Sequence, residues 1–195
     1  MASTAQSIRK RLPGSAGFWF FIAIDALLFI LLFASYAYDR LGDAEQFRRA
    51  RAALHPVPGA IGTVLLLASA WHAVRAVHAA REEGAGVAGV VYSRLVLALL
   101  WGAGFLVCMS FQYAGLIGAG AGLTTGGFHM YFFSLTGALL VHLLAGMAAL
   151  IMIVRRTTDE GLRDGKYLRF IESGAVYWQL VVLLWIAVFA LLYVW

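Results

Sequence analysis

The sequence predicts an all-α polytopic membrane protein with five transmembrane helices, and three observations carry that prediction. Charged side chains make up 13% of the 195 residues, about half the ~25% of a soluble domain. The apolar fraction is 62% without counting the 21 glycines, and the mean hydropathy is +0.82. Five uninterrupted apolar stretches reach the ~20 residues needed to cross a hydrocarbon core. Together these exclude a soluble globular domain. The stretches are apolar all round with no period-2 alternation, which selects helices over a barrel, because a helix satisfies its own backbone hydrogen bonds in lipid.

The stretches run approximately from Ala16 to Tyr38, Val57 to Ala80, Val87 to Leu116, Gly127 to Val154 and Ser173 to Trp195. The first follows Arg9, Lys10 and Arg11 like the basic start of a signal peptide. It is too long for a signal h-region and reaches Asp39-Arg40 without an A-x-A site, so it reads as a retained helix. Residues 1–15 are then an N-terminal segment, and residues 16–195 a single five-helix domain. Cys108 stands alone in the sequence, which excludes an intramolecular disulfide, a CxxC pair and a dicysteine copper site. The connections are short except the first, Asp43 to Leu54, a charged stretch with Phe47 and Leu54 as its main large apolar groups. Two readings of it stand, an interfacial helix or a solvated loop with one helical turn.

Lys and Arg set the expected orientation. Arg9, Lys10 and Arg11, then Arg75, Arg81 and Arg94, then Arg155, Arg156, Arg163, Lys166 and Arg169 collect on one side. The other side has Arg40, Arg48, Arg49 and Arg51, diluted by Asp39, Asp43 and Glu45. The N-terminus is therefore expected in the cytoplasm and the C-terminus outside, in a bacterial-type inner membrane. The net charge of +5 follows from that bias, and no basic run interleaved with aromatics suggests nucleic acid. The glycines of residues 115–122 lack the Lys and Ser/Thr of a phosphate loop and read as a tight connection.

Chemistry in such a chain is sought at ionisable groups inside the hydrocarbon, because each is costly unless it pairs or faces a cavity. Asp25 stands out, nine residues into the first helix and roughly 13 Å from its start. His72 comes out roughly 12 Å from the same face and His142 roughly 18 Å. Gln112 and His129 fall near the opposite face, Glu172 and Gln179 near the first. The set reads as a proton path, a lipid-headgroup site, or side chains that hydrogen-bond neighbouring helices. A haem needs two facing His at one depth, or His with an axial Met, and His72 and His142 differ by about a turn. Trp19, Trp178, Tyr193 and Trp195 lie where interfacial aromatic belts occur.

The residues carry a resemblance to the subunit III family of haem-copper oxidases, which includes accessory proteins of nitric oxide reductases. Glu172-Ser-Gly-Ala-Val-Tyr177-Trp178-Gln179 with Trp185 resembles the family's E-x-G-x-x-Y-W-H-x-V-D-x-x-W helix. Gly17 to Phe29 resembles G-x-x-x-F-x-x-S-E-x-x-x-F, with Asp25 at the intramembrane carboxylate. Gly62-Thr63 to Ser69 is similar to N-T-x-x-L-L-x-S, and Thr136-Gly137 to Gly146, with His142, to T-G-x-H-x-x-H-x-x-x-G. Matching segments in one order span nearly the whole chain after residue 12. Five helices fit the short bacterial form that lacks the first two of seven. The chain has Asp25 for the family Glu, Leu139 for a His, Gln112 for a Glu, Gln179 for a His and Val182 for an Asp.

The resemblance implies a bundle with a lipid-filled cleft and an accessory subunit with no catalytic residue, redox centre or metal of its own, holding structural phospholipid. Its partners would be membrane lipids and a subunit I-type catalytic protein of an oxidase or, alternatively, of a nitric oxide reductase, whose assembly, sustained turnover and proton uptake it supports. Asp25 is then the cleft or proton-related carboxyl, with Trp19, Phe29 and His72 as neighbours. His142, Glu172, Tyr177, Trp178, Gln179 and Gln112 are expected to hold the bundle together. A stand-alone b-type cytochrome and a small proton-coupled transporter are the readings from other classes.

Overall fold

The computed structural model describes residues 14–82, 84 and 86–195. Arg9, Lys10 and Arg11 lie outside the described residues. Chain order gives α1 Ala16–Gly42, α2 Ala44–Ala52, α3 Pro56–Ala80, α4 Val87–Gly118, α5 Gly127–Arg156, α6 Asp159–Arg163 and α7 Gly165–Phe189. Among the described residues five helices are long and apolar enough to cross a membrane, namely α1, α3, α4, α5 and α7 with its last turn to Val194. The chain is thus an all-α polytopic membrane bundle.

Side chains in the connections set the helix starts. The Ser15 hydroxyl accepts from the Phe18 N–H at the head of α1. Asp43, the one residue between α1 and α2, accepts from the Gln46 N–H. Thr158 caps α6 and Asp164 caps α7, each satisfying an orphan N–H of a first turn. Pro56 opens α3, where its missing N–H costs nothing. Gly86 precedes α4 at φ +83°, a conformation that glycine adopts without strain. Beyond Phe189 the last turn widens to i→i+5 bonding, with the Trp195 N–H on the Ala190 carbonyl at 2.9 Å.

The core lies among α3, α4, α5 and α7. Small buried residues on α3, including Ser69, Ala70, Ala73 and Ala76, allow the close backbone approach that drives helix association in lipid. Phe105 of α4 lies over Gly62, where a Cβ would come within 2.9 Å of its ring. α7 fits between α3 and α5 and buries Trp178, Val181, Val182, Trp185 and Val188. α1 stands at the margin, with 11% of its span buried against 44% for α7. Its inward stripe is Asp25, Phe29 and Tyr36, one face at helical spacing, while Phe20, Leu27 and Leu31 are exposed.

α1 runs four residues past Tyr38, to Gly42, and two larger differences from the sequence expectation lie at α7 and at the first connection. α7 begins eight residues earlier, at Gly165 rather than Ser173, because Lys166, Arg169 and Glu172 extend the helix where hydropathy has already fallen. The first connection forms the helix α2 rather than a loop with a single turn. Phe47 is buried with Tyr36, Phe128 and Tyr131 around it, and Leu54 is buried behind it. The outer face of α2 carries Arg48 and Arg49, both paired with Glu45. Hydrogen bonds from Arg49 and then Arg48 hold the Glu45 carboxyl below its usual range.

Candidate functional site

Asp25 of α1 and His142 of α5 meet inside the bundle. Asp25 is buried, and its Oδ1 lies 2.8 Å from His142 Nε2. The other ring nitrogen, Nδ1, sits 2.7 Å from the Ala138 carbonyl one turn back on α5. A carbonyl only accepts, so Nδ1 carries a hydrogen and donates. Nε2 is thereby turned to the Asp25 carboxyl.

The pair is walled by apolar groups. Phe29, one turn beyond Asp25, presents its ring edge-on to the imidazole at a centroid distance of 5.6 Å. Tyr177 of α7 donates its hydroxyl to the His142 carbonyl at 3.3 Å, and its ring lies 6.2 Å from Phe21 of α1. Three helices therefore meet around the pair. The second carboxyl oxygen of Asp25, Oδ2, is buried with no hydrogen-bond partner, which is costly in a medium without water. Trp19 stands at the start of α1, edge-on to Phe18 at 5.9 Å.

His72 is not brought to Asp25. It lies on α3 against Trp71, at a ring distance of 4.8 Å, with Nδ1 buried and without a hydrogen-bond partner. The matching depth of Asp25 and His72 misleads because depth does not say which helices are neighbours: α1 packs on α5, α2 and α7, and the helix ends are not level. Asp25 is nine residues from the start of α1 and His142 fourteen from the end of α5. Contact between them means that α5 runs about 7.5 Å past the start of α1.

The other expected contacts tie helices together. Trp178 is fully buried and donates its indole N–H to Ser69 Oγ at 3.0 Å, while Ser69 donates to the Ala98 carbonyl at 2.6 Å. Seven residues on, Trp185 donates to Thr63 Oγ1 at 2.9 Å. Gln179 donates to the Ala70 carbonyl at 3.0 Å. Glu172 receives Nε and Nη2 of Arg81 at 2.9 and 2.8 Å. Gln112 is buried with its Oε1 unpartnered, beside a cavity of about 720 Å³ that His55 and His129 also line. Sequence reasoning did not single out Ser69, Thr63 and Arg81 as partners. The offsets that would have found Thr63 and Ser69 are the six residues between them and the seven between Trp178 and Trp185, on antiparallel helices. Among the described residues no three His, Cys, Asp or Glu side chains gather as a metal-binding set.

No family model matches the chain. It is 30% identical over 182 residues to quinol oxidase subunit 3 of Bacillus spizizenii, across 91% of this chain and 84% of that one. The chain belongs to the subunit III family of haem-copper oxidases. It is also 27% identical to cytochrome bo(3) ubiquinol oxidase subunit 3 of Pseudomonas putida, over 91% of this chain and 83% of the relative. A third relative, heme-copper oxidase subunit I+III of Aeropyrum pernix, is 24% identical over 90% of this chain and 22% of its own length. Within this subunit III-like chain the motif residues acquire positions in space. Thr63 and Ser69 face the two tryptophans of the last helix, and the fourth-helix His142 meets the first-helix carboxyl.

Proposed function

We propose that this chain is a non-catalytic accessory subunit of a respiratory haem-copper oxidase that binds a subunit I-type catalytic protein and sustains its turnover. The observation that carries the reading is the Asp25–His142 pair, an intramembrane contact that joins the marginal helix α1 to the core helix α5, which Tyr177 of α7 also bonds. Both nitrogens of His142 are engaged, so the imidazole has no free lone pair for a haem iron. The chain's own residues orient a buried carboxyl against an imidazole inside the bundle. Family membership supports the oxidase complex as the setting. A relative that carries subunits I and III in one chain supports a subunit I-type partner, and the named relatives favour an oxidase over a nitric oxide reductase.

In this proposal phospholipid lies against the exposed face of α1, in the position of the family's cleft, and no haem or copper belongs to this chain. The N-terminal end of α1 faces the cytoplasm with α6, and the end of α7 faces outward. The side of α6 carries Arg155, Arg156, Arg163, Lys166 and Arg169, which the positive-inside bias retains in the cytoplasm.

The test is a time course of partner-enzyme activity and co-purified lipid with Asp25→Asn and Asp25→Leu. Asp25→Asn keeps a donor toward His142 Nε2 and should preserve assembly and early turnover while shortening the active lifetime or changing retained lipid. Asp25→Leu should also weaken the bundle. Immediate loss of turnover by Asp25→Asn in an assembled complex would make Asp25 an obligatory proton carrier, and unchanged lipid and activity in both variants would reduce the pair to a packing contact.

A further inference from the structure

Two arginines lie inside membrane-spanning helices without an anion among the described residues to meet them. Arg75 is five residues before the end of α3 and Arg94 seven after the start of α4, about 7.5 and 10 Å along their axes. Their guanidinium carbons stand 6.0 and 5.5 Å from the centroid of the Trp71 ring. Trp71 is 55% exposed on the outer face of the α3–α4 hairpin. Among the described residues neither guanidinium has a carboxylate or a hydrogen-bond acceptor, whereas Arg81 has Glu172 and Arg51 has the Val194 carbonyl at 3.1 Å.

We propose that Arg75 and Arg94, on either side of Trp71, bind the phosphate of an anionic phospholipid. An unpaired guanidinium at this depth is costly, and a long arginine side chain relieves the cost by reaching toward the headgroup layer. Both residues lie near the α3–α4 connection, within reach of the lipid phosphates at that end. A guanidinium fork matches phosphate oxygens in pairs, and an indole ring is at home at that level. Below Trp71 the exposed stripe continues through Leu67 and Val64, seven residues that offer an apolar track for an acyl chain. Charge selects the class of lipid. Two cations favour a headgroup with net negative charge, such as phosphatidylglycerol, over one that brings its own ammonium.

The experiment uses the full chain in mild detergent with equimolar phosphatidylglycerol and phosphatidylcholine, and native mass spectrometry reads the retained lipid. The wild-type chain should retain phosphatidylglycerol in preference. Each arginine near an anionic surface is worth about fivefold in binding. Arg75→Gln, on an exposed side chain, should therefore lower the preference by about that factor, and Arg75→Gln with Arg94→Gln by more. Thermal unfolding of each variant establishes that it is folded, and the single exposed substitution decides the question if the double variant is not. Equal retention of both lipids by the wild-type chain, or an unchanged preference in Arg75→Gln, would overturn the proposal. So would phosphatidylglycerol that binds the chain alone but is lost when the chain is purified in its complex, since that assigns the guanidiniums to a carboxylate of a partner protein.

Discussion

Trp178 of α7 donates its indole N–H to Ser69 of α3 at 3.0 Å, and the same ring lies over glycines of two further helices. A Cβ at Gly102 of α4 would meet it at 3.1 Å and one at Gly146 of α5 at 2.8 Å. One side chain thus sets the spacing of four helices. The polar atom fixes its rotation and the absent side chains admit its bulk.

The first prediction concerns that bond. Ser69→Ala leaves the Trp178 N–H unpaired in a site without water, and single interhelical hydrogen bonds in membranes average about 0.6 kcal/mol with a maximum near 1.7. A loss of about 1 kcal/mol is expected, against about 3–5 kcal/mol for Trp178→Ala, which also opens a cavity. Reversible unfolding in mixed micelles measures both. Equal stability of Ser69→Ala and the wild-type chain would show that the bond contributes nothing.

Glycine substitutions separate close packing from helix propensity. Gly146→Ala places a methyl against Trp178 and should cost about 1–3 kcal/mol through overpacking. Gly115→Ala, also on a membrane-spanning helix but with nothing within 4 Å of its Cβ, should be neutral or stabilising by up to about 1 kcal/mol. The same unfolding measurement compares them, and the reverse order would contradict the packing described.

The Asp25–His142 pair makes a third prediction, that the two residues are coupled. Truncating one partner of a buried pair typically costs about 3–5 kcal/mol, whereas replacing both by apolar groups is often close to neutral. Asp25→Leu and His142→Leu should each destabilise the bundle, and the double variant should be less damaged than the sum of the two. A double-mutant cycle reads the coupling directly. Additive effects would mean that the two side chains do not share a proton or a bond.

The spans were legible in the sequence because hydropathy senses the membrane, and both faces of each helix are apolar. Hydropathy does not sense where a helix ends. α7 therefore started late, at the charged turn of Lys166, Arg169 and Glu172, and α2 stood open as helix or loop until Phe47 was seen buried between α1 and α5. At the site, Asp25 was legible as a carboxyl inside an apolar helix. Its partner was not, since depth counted from helix ends assumes level ends and says nothing of which helices are neighbours, and α1 packs on α5 with His142 rather than on α3 with His72. The acceptors of the tryptophans were also missed. Ser and Thr in an apolar helix bond to their own backbone equally well, and only the facing helix reveals the second partner.

Orientation supplies the fourth prediction. The connection between α5 and α7, residues 157–164, is expected on the cytoplasmic side and Trp195 outside. Protease treatment of oriented vesicles checks it, and cleavage between Arg156 and Gly165 from the external face would contradict the assignment.

In the proposed function this chain serves a haem-copper catalytic subunit and holds no redox centre itself. The most direct measurement is recovery of the full chain in mild detergent, with mass spectrometry of what accompanies it and metal and haem analysis of the complex and of the separated chain. The account predicts a subunit I-type protein in the complex, with haem and copper following that protein and none retained by this chain. Stoichiometric haem or copper on the separated chain, or a recovered complex without such a catalytic subunit, would contradict it.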